Sequence, residues 1–219
     1  MRWIVQTSHG RHVSRDSGAP PILYDDANLE LAAVKFDLKA RIDIAGTKSH
    51  LKRASTAVND TSCRICRKVE TSVHVLTSCG LVSSYVDRHG KIGDQLISAY
   101  TGENVNIEQR LPELQGLLPD IVLRGANVVV EVSVCSPGTT AEARRRKVTR
   151  YLPLVETHKV LTFVVDIYGS GIRNEVDSLL SNGLLDAGER ETYVKEVAGI
   201  LVAQNYRIYS KFLGAAGQV

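Results

Sequence analysis

The chain has 219 residues, 43% of them hydrophobic and 23% charged, with a formal net charge of +3. That is enough length and apolar content for one or two packed domains, and it excludes a largely disordered or collagen-like chain. No apolar run approaches the roughly 18 residues of a membrane span, and the first residues lack the apolar stretch of a signal peptide, so neither a membrane partner nor secretion is expected.

In chain order, residues 1–30 read as irregular, with Ser8-His9-Gly10 and Pro20-Pro21 and little periodicity. Residues 29–53 carry helical spacing in parts, with Leu31, Val34, Leu38 and Ile42 near one face and Ala45-Gly46-Thr47 as an interruption. A cysteine-bearing segment covers 60–80. A helix is expected over 81–100, its apolar positions being Val82, Tyr85, Val86, Ile92, Leu96 and Ile97, and a polar stretch follows over 101–109. The texture then turns β-branched. Residues 120–134 read as two strands around a turn at Gly125-Ala126-Asn127. A helix over 141–155 follows, with Pro137-Gly138-Thr139-Thr140 as break and cap. A third strand over 160–168 ends at Gly169-Ser170-Gly171, and helices over 174–185 and 189–212 close the chain. In the last of these Val194, Val197, Leu201 and Ile208 form one stripe. The expected class is α/β, a small mixed sheet flanked by helices.

Three of the four cysteines fall in one segment. Cys63, Cys66, His74 and Cys79 have the spacing C-x2-C-x7-H-x4-C. Clustered cysteines without a secretory signal read as metal ligands rather than disulfides. The two-residue gap lets both thiolates face one point, and His74 and Cys79 arrive from the next short element. Four protein ligands close a tetrahedral Zn²⁺ site and leave no position open for chemistry, so the zinc is expected to be structural. The alternative is three buried free thiols with a surface histidine.

A second constellation lies downstream. Asp120 follows Pro119 at the start of the hairpin, and Glu131 sits inside the apolar run 128–134, where an unpaired carboxylate is costly. A hairpin centred on Gly125-Ala126 puts positions 120 and 131 opposite each other. Two such carboxylates suit Mg²⁺, the ion that metal-assisted phosphodiester hydrolysis uses. Ser133 stands two positions after Glu131, so the lysine that would orient or activate water is Lys147, which shares a helix face with Ala143 and Tyr151. Tyr151 would support the lysine or the substrate. The alternative pairs Glu131 with Arg124 and leaves Lys147 on the surface.

Basic side chains concentrate beside both groups. Arg64, Arg67 and Lys68 flank the cysteines, and Arg144, Arg145 and Arg150 share a helix with Lys147. They fit either phosphate contact or a solvated helix face. Arg88 and His89 fit contact with DNA, positioning of the active site, or a polar helix face. Asp94 and Glu103 are candidates for a further acid. Cys135 is expected in the strand core, and Asp166 and Tyr168 are expected to be structural.

The knuckle Cys63–Cys66–His74–Cys79 with Glu70-Thr71 and Val75-Leu76 around it, the pair Arg88-His89, the acids Asp120 and Glu131, and the pair Lys147 and Tyr151 occur in that order. In this the chain resembles the C-terminal portion of site-specific non-LTR (LINE-type) retrotransposon proteins, which carry a restriction-like endonuclease downstream of reverse transcriptase. The similarity spans about residues 55–215. It implies a PD-(D/E)xK fold whose lysine has moved from strand to helix. It implies a nuclear enzyme that nicks target DNA so that the freed 3′ end primes reverse transcription. The implied partners are the DNA target, the element's RNA and the reverse transcriptase region of the same polyprotein. Two features depart from the family: Gly90 follows Arg88-His89 where an acid or amide is common, and no strand-borne polymerase aspartate motif occurs. The resulting division is an N-terminal irregular and helical part (1–55), a CCHC zinc knuckle (56–82) and a restriction-like endonuclease domain (83–219). The alternative function is a nucleic-acid-binding module on an inactive nuclease fold, and a zinc-stabilised interaction domain is a third reading.

Overall fold

The computed structural model describes residues 29–55, 57–80, 82–100, 105–107 and 117–217. The irregular reading of 1–28 and the candidate acid Glu103 lie outside them. Helices α1 (Leu31–Arg41) and α2 (Lys48–Ala54) are separated by the expected break, α3 (Ser72–Thr77) is one short turn of helix, and α4 spans Val82–Ala99. Strands β1 (Val105–Ile107), β2 (Ile121–Leu123) and β3 (Val128–Cys135) are followed by α5 (Thr140–Arg150), β4 (Lys159–Asp166), α6 (Ile172–Ser181) and α7 (Arg190–Ala216). The class is α/β, with a four-stranded sheet in the order β1-β2-β3-β4. The first two pairings are antiparallel and β3 runs parallel to β4, with α5 as the crossover between them.

Side-chain period two divides the hairpin between two cores. Val128, Val130 and Val132 point into a large core with Phe163 and Val165 of β4 and with α4, α6 and α7. Val122 and Val129 point the other way, onto Tyr151 and Leu154. The Val194, Val197, Leu201 and Ile208 stripe of α7 is buried throughout, as its spacing predicts. Each such side chain contributes roughly 1.5–3 kcal/mol through apolar burial.

Residues 29–54 share packing with the rest. Phe36 and Ala40 of α1 pack with Ile167, Tyr168 and Ile208, and Phe36 lies 4.5 Å from the Tyr209 ring. The Tyr168 hydroxyl donates to the Ala40 carbonyl at 3.1 Å.

Several expectations need correction. The 101–109 stretch contains β1, a third antiparallel partner that no alternation announces. Val86 was expected on the apolar face of α4 and is 60% exposed. The helix expected to reach 155 stops at Arg150, because Pro153 cannot continue it and the chain tightens into a 3-10 turn over Leu152–Leu154. Thr139 does not cap α5 with its side chain; its hydroxyl donates to the Ser136 carbonyl at 2.8 Å. Cys135 is half-buried rather than core. Asp166 is structural as read: its Oδ1 accepts from the amides of Tyr168 (2.8 Å) and Ser170 (3.0 Å). Those bonds close the turn into α6, where Gly169 and Gly171 take φ of 83° and 93°, a region costly for any residue with a Cβ.

Candidate functional site

The hairpin register builds the acid pair. Ile121 pairs with Val130 and Leu123 with Val128, around a turn in which Asn127 adopts a left-handed conformation. The same register brings the start of β2 beside Glu131, whose Oε1 accepts from the Asp120 amide at 3.1 Å. Among the described residues, β3 beyond Val130 has a strand neighbour on one side only. The side chain of Asp120 takes the vacant strand's place: its Oδ2 accepts from the Val132 amide at 2.8 Å.

Lys147 arrives from α5. Its Nζ lies 2.6 Å from Glu131 Oε2 and 3.5 Å from Asp120 Oδ2. Ala143 and Tyr151 flank it on the same face, both buried. The alternative in which Glu131 pairs with Arg124 is therefore not what the chain adopts. His89 comes from α4, with Nε2 3.2 Å from Asp120 Oδ2 and 3.3 Å from the Val132 carbonyl. The hydrogen bond to Asp120 outweighs burial and raises the His89 pKa above its ordinary 6.5. Burial pushes the Asp120 carboxyl up, but His89, Lys147 and the Val132 amide together bring it below its ordinary value. Three oxygens, Asp120 Oδ2, Glu131 Oε2 and the Val132 carbonyl, are thus held around two nitrogens.

Tyr151 occupies a different role from the one expected of a substrate contact. It is fully buried, and its hydroxyl donates to the Leu118 carbonyl at 2.9 Å. Burial, and next the Glu131 carboxylate, push its phenol pKa up, so it stays a neutral donor. It anchors the Leu118-Pro119-Asp120 turn.

The second group is the cysteine segment. The metal-binding atoms of Cys63, Cys66, His74 and Cys79 all lie within 4.8 Å of one another. Cys63 Sγ and Cys79 Sγ are 3.6 Å apart, and Cys66 Sγ is 3.0 Å from His74 Nε2. Zn–S bonds of about 2.3 Å in a tetrahedron put sulfur atoms about 3.8 Å apart. A tight turn sets the first two ligands: the Arg67 amide donates to the Cys63 carbonyl, and Arg67 takes a φ of 68°. Glu70, fully buried, locks that turn by accepting from the Arg64 amide (3.1 Å), the Arg64 guanidinium (3.0 Å) and the Lys48 amide (2.9 Å). The Thr71 hydroxyl caps α3 by accepting from the His74 amide, and Cys79 lies just past the helix end. His74 Nδ1 lies 3.1 Å from Ser78 Oγ, which orients the ring with Nε2 towards Cys66. Burial, then Lys68, hold His74 below its ordinary pKa and so neutral. Burial and the Cys63 thiol push Cys79 up to about 12. Thiols this crowded ionise together around a cation, so the Cys3His group could hold a metal such as zinc.

A groove of about 390 Å³ opens beside the acid–lysine group. Lys147, His89, Val132, Ser133, Val134 and Thr77 of α3 are among the residues that line it.

The basic residues separate sharply. Arg67, Arg145 and Arg150 are exposed, as phosphate contact requires. Arg64 is committed to Glu70 and stands over the Phe212 ring. Arg144 was expected to point outward, but its guanidinium bonds to Thr162 Oγ1 (2.9 Å) and to the buried Glu175. Arg88 was expected at a surface, yet it is buried and donates to Asn205 Oδ1 at 2.7 Å. Asp94 faces a separate groove between α4 and α7, away from the acid pair. Glu175 and Asn205 were not singled out from the sequence. The signal was present, since each is a polar residue on an apolar stripe: Ile172, Glu175, Val176 and Leu179 in α6, and Leu201, Asn205 and Ile208 in α7.

Comparison with known proteins finds no protein-family model that matches the chain and no curated protein that matches it.

Proposed function

We propose that the chain is a Mg²⁺-dependent DNA endonuclease of the PD-(D/E)xK type, the restriction-like region of a site-specific non-LTR retrotransposon protein. On this reading it nicks target DNA in the nucleus to prime reverse transcription, alongside the element's RNA and the reverse transcriptase region of the same polyprotein. The observation that carries the reading is the convergence of Lys147, from the crossover helix, on both Asp120 and Glu131 of the hairpin. The groove beside Lys147 and His89 fits it as well.

Asp120 and Glu131 would hold the metal, which supplies Lewis-acid polarisation of the phosphodiester and a more acidic bound water. Lys147 holds a positive charge where negative charge develops, and it orients the attacking water. His89 fixes the rotamer of Asp120, and Tyr151 fixes the turn that carries it. Zinc at the Cys3His group shapes the neighbouring nucleic-acid surface, to which Arg67, Arg145 and Arg150 add charge.

A second reading also has an observation in its favour. The Lys147 ammonium already pairs with both carboxylates, as a structural ion pair in a binding module on an inactive nuclease fold would do. The deciding experiment is nicking of supercoiled plasmid with Mg²⁺ by the natural chain, Asp120→Ala and Lys147→Ala. Nicking by the natural chain and by neither variant supports the endonuclease. Three equally inactive proteins that still bind DNA overturn it in favour of the binding module.

A further inference from the structure

Arg88 is a buried arginine with no acid partner among the described residues. Arg41 pairs with Asp37, Arg53 with Asp43, Arg64 with Glu70 and Arg144 with Glu175. Arg88 is only 3% exposed, more buried than a cation should be without compensation. Its Nη1 donates to the neutral amide of Asn205, and its guanidinium stands 5.8 Å from the centre of the Tyr85 ring. Its Nε is buried and has no partner among the described residues. Burial lowers its pKa to about 10, and the groups that offset this are Tyr85 and Cys135, neither of them a carboxylate.

The little of Arg88 that is exposed lines the 390 Å³ groove, between His89 and Tyr85. Lys147 and Ser133 line it too, and no acidic residue does. The neighbouring groove of about 600 Å³ between α4 and α7 is different, since Asp87 and Asp94 face its Lys91, Arg207 and Lys211. The groove's other cations, His89 and Lys147, already meet Asp120 and Glu131, so Arg88, with its buried unpartnered Nε, is the one that lacks an anion.

We propose that Arg88 is the floor of a phosphate subsite in this groove, which takes a backbone phosphodiester of a nucleic-acid strand. This rests on the reading of the acid–lysine group as a nucleic-acid site, but its test uses no cleavage. Desolvation makes a charge-assisted bond from this guanidinium stronger than one from a solvated surface arginine. Free inorganic phosphate presents the same chemistry, so it serves as one probe and a single-stranded oligothymidylate as the other.

The experiment uses the full zinc-loaded chain without Mg²⁺, with Arg88→Met and Arg88→Lys. A structural arginine and a ligand-binding one give opposite results. If Arg88 awaits an anion, Arg88→Met removes an uncompensated buried charge, and the variant melts at or above the natural temperature with its zinc intact. Phosphate, at matched ionic strength, then raises the melting temperature of the natural chain and of Arg88→Lys but not of Arg88→Met. The slope of log affinity against log salt for the oligonucleotide falls by about 0.7 in Arg88→Met, one phosphate contact's worth. A lower melting temperature with an unchanged phosphate shift overturns the proposal and leaves Arg88 as a tie between α4 and Asn205 of α7. Should Arg88→Met fail to fold, the Nε–H resonance of Arg88 in the natural chain decides, identified by its loss in Arg88→Lys. It moves on phosphate titration if the subsite exists, and a fixed resonance overturns it. A response to phosphate but none to the oligonucleotide overturns the assignment to a nucleic-acid strand. Absence of plasmid nicking alters none of these readouts.

Discussion

Lys147 Nζ sits 2.6 Å from Glu131 Oε2, and the glutamate side chain is 1% exposed. The pair joins the crossover helix to the middle of β3. Deep in the fold, the Glu131 carboxylate is met by Lys147 and the Asp120 amide. Removing Lys147 alone strands a buried carboxylate, which typically costs about 3–5 kcal/mol. Lys147→Met is therefore expected to lower unfolding free energy by that order in urea titrations. Lys147→Met combined with Glu131→Gln is expected to recover most of the loss, since the charge and its partner vanish together. Equal destabilisation of the single and the double variant would refute the coupling.

Tyr151 acts at one remove from the acids. Its hydroxyl holds the Leu118 carbonyl, two residues before Asp120. Tyr151→Phe keeps the ring and deletes the bond, at an expected cost of about 0.5–1.5 kcal/mol. If the chain nicks DNA, the variant is expected to lower the turnover rate more than the affinity for DNA, because it loosens the turn that carries Asp120. Single-turnover nicking beside equilibrium binding separates the two, and weakened binding at an unchanged rate would count against this role.

These relationships were unequally legible in the sequence. The hairpin register was readable, because a turn at Gly125-Ala126-Asn127 between β-branched runs admits few pairings, and the observed one puts Ile121 beside Val130. The Cys3His group was readable because its spacing is local. The partners of long polar side chains were not. Arg88 and Arg144 sit in sequences that read as solvated helix faces, and what draws them inward is Asn205 and Glu175, more than 30 residues away in each case. β1 escaped for a related reason: a three-residue edge strand owes its existence to β2 rather than to its own alternation.

The His89–Asp120 contact makes stability depend on pH in two directions. His89 titrates above its ordinary 6.5 in the folded chain. Its stabilisation is complete below that value and is lost as pH rises through the folded pKa. Asp120 titrates below its ordinary 3.8. Its contribution is complete above that value and is lost as pH falls through the folded pKa. Between 3.8 and 6.5 both contributions are present. His89→Ala is expected to remove the alkaline limb and to shrink the acid one, as read by urea unfolding across pH without Mg²⁺. An unaltered alkaline limb in the variant would assign that limb to another group.

Metal loss should reach beyond the knuckle. Cys63 and Cys79 are fully buried and pack with Val75 against Phe212, near the end of α7. Tyr209, one turn earlier, stacks on Phe212 at 6.3 Å and on Phe36 of α1 at 4.5 Å, and its hydroxyl donates to the Ala45 carbonyl. The knuckle, the last turns of α7 and the first helix thus share one packing unit. Without a cation the thiols must take up protons in a low-dielectric pocket, and the tight Cys63–Cys66 turn loses what closes it. We expect one zinc per chain by elemental analysis. A strong chelator, or Cys63→Ser with Cys79→Ser, should lower the melting temperature. It should also speed amide exchange selectively in 63–79, in the α7 residues around 209–212 and in α1, while β3 and β4 stay protected. Exchange that rises in 63–79 alone would show that the knuckle unfolds without α7, and stoichiometric absence of zinc would remove the structural metal altogether.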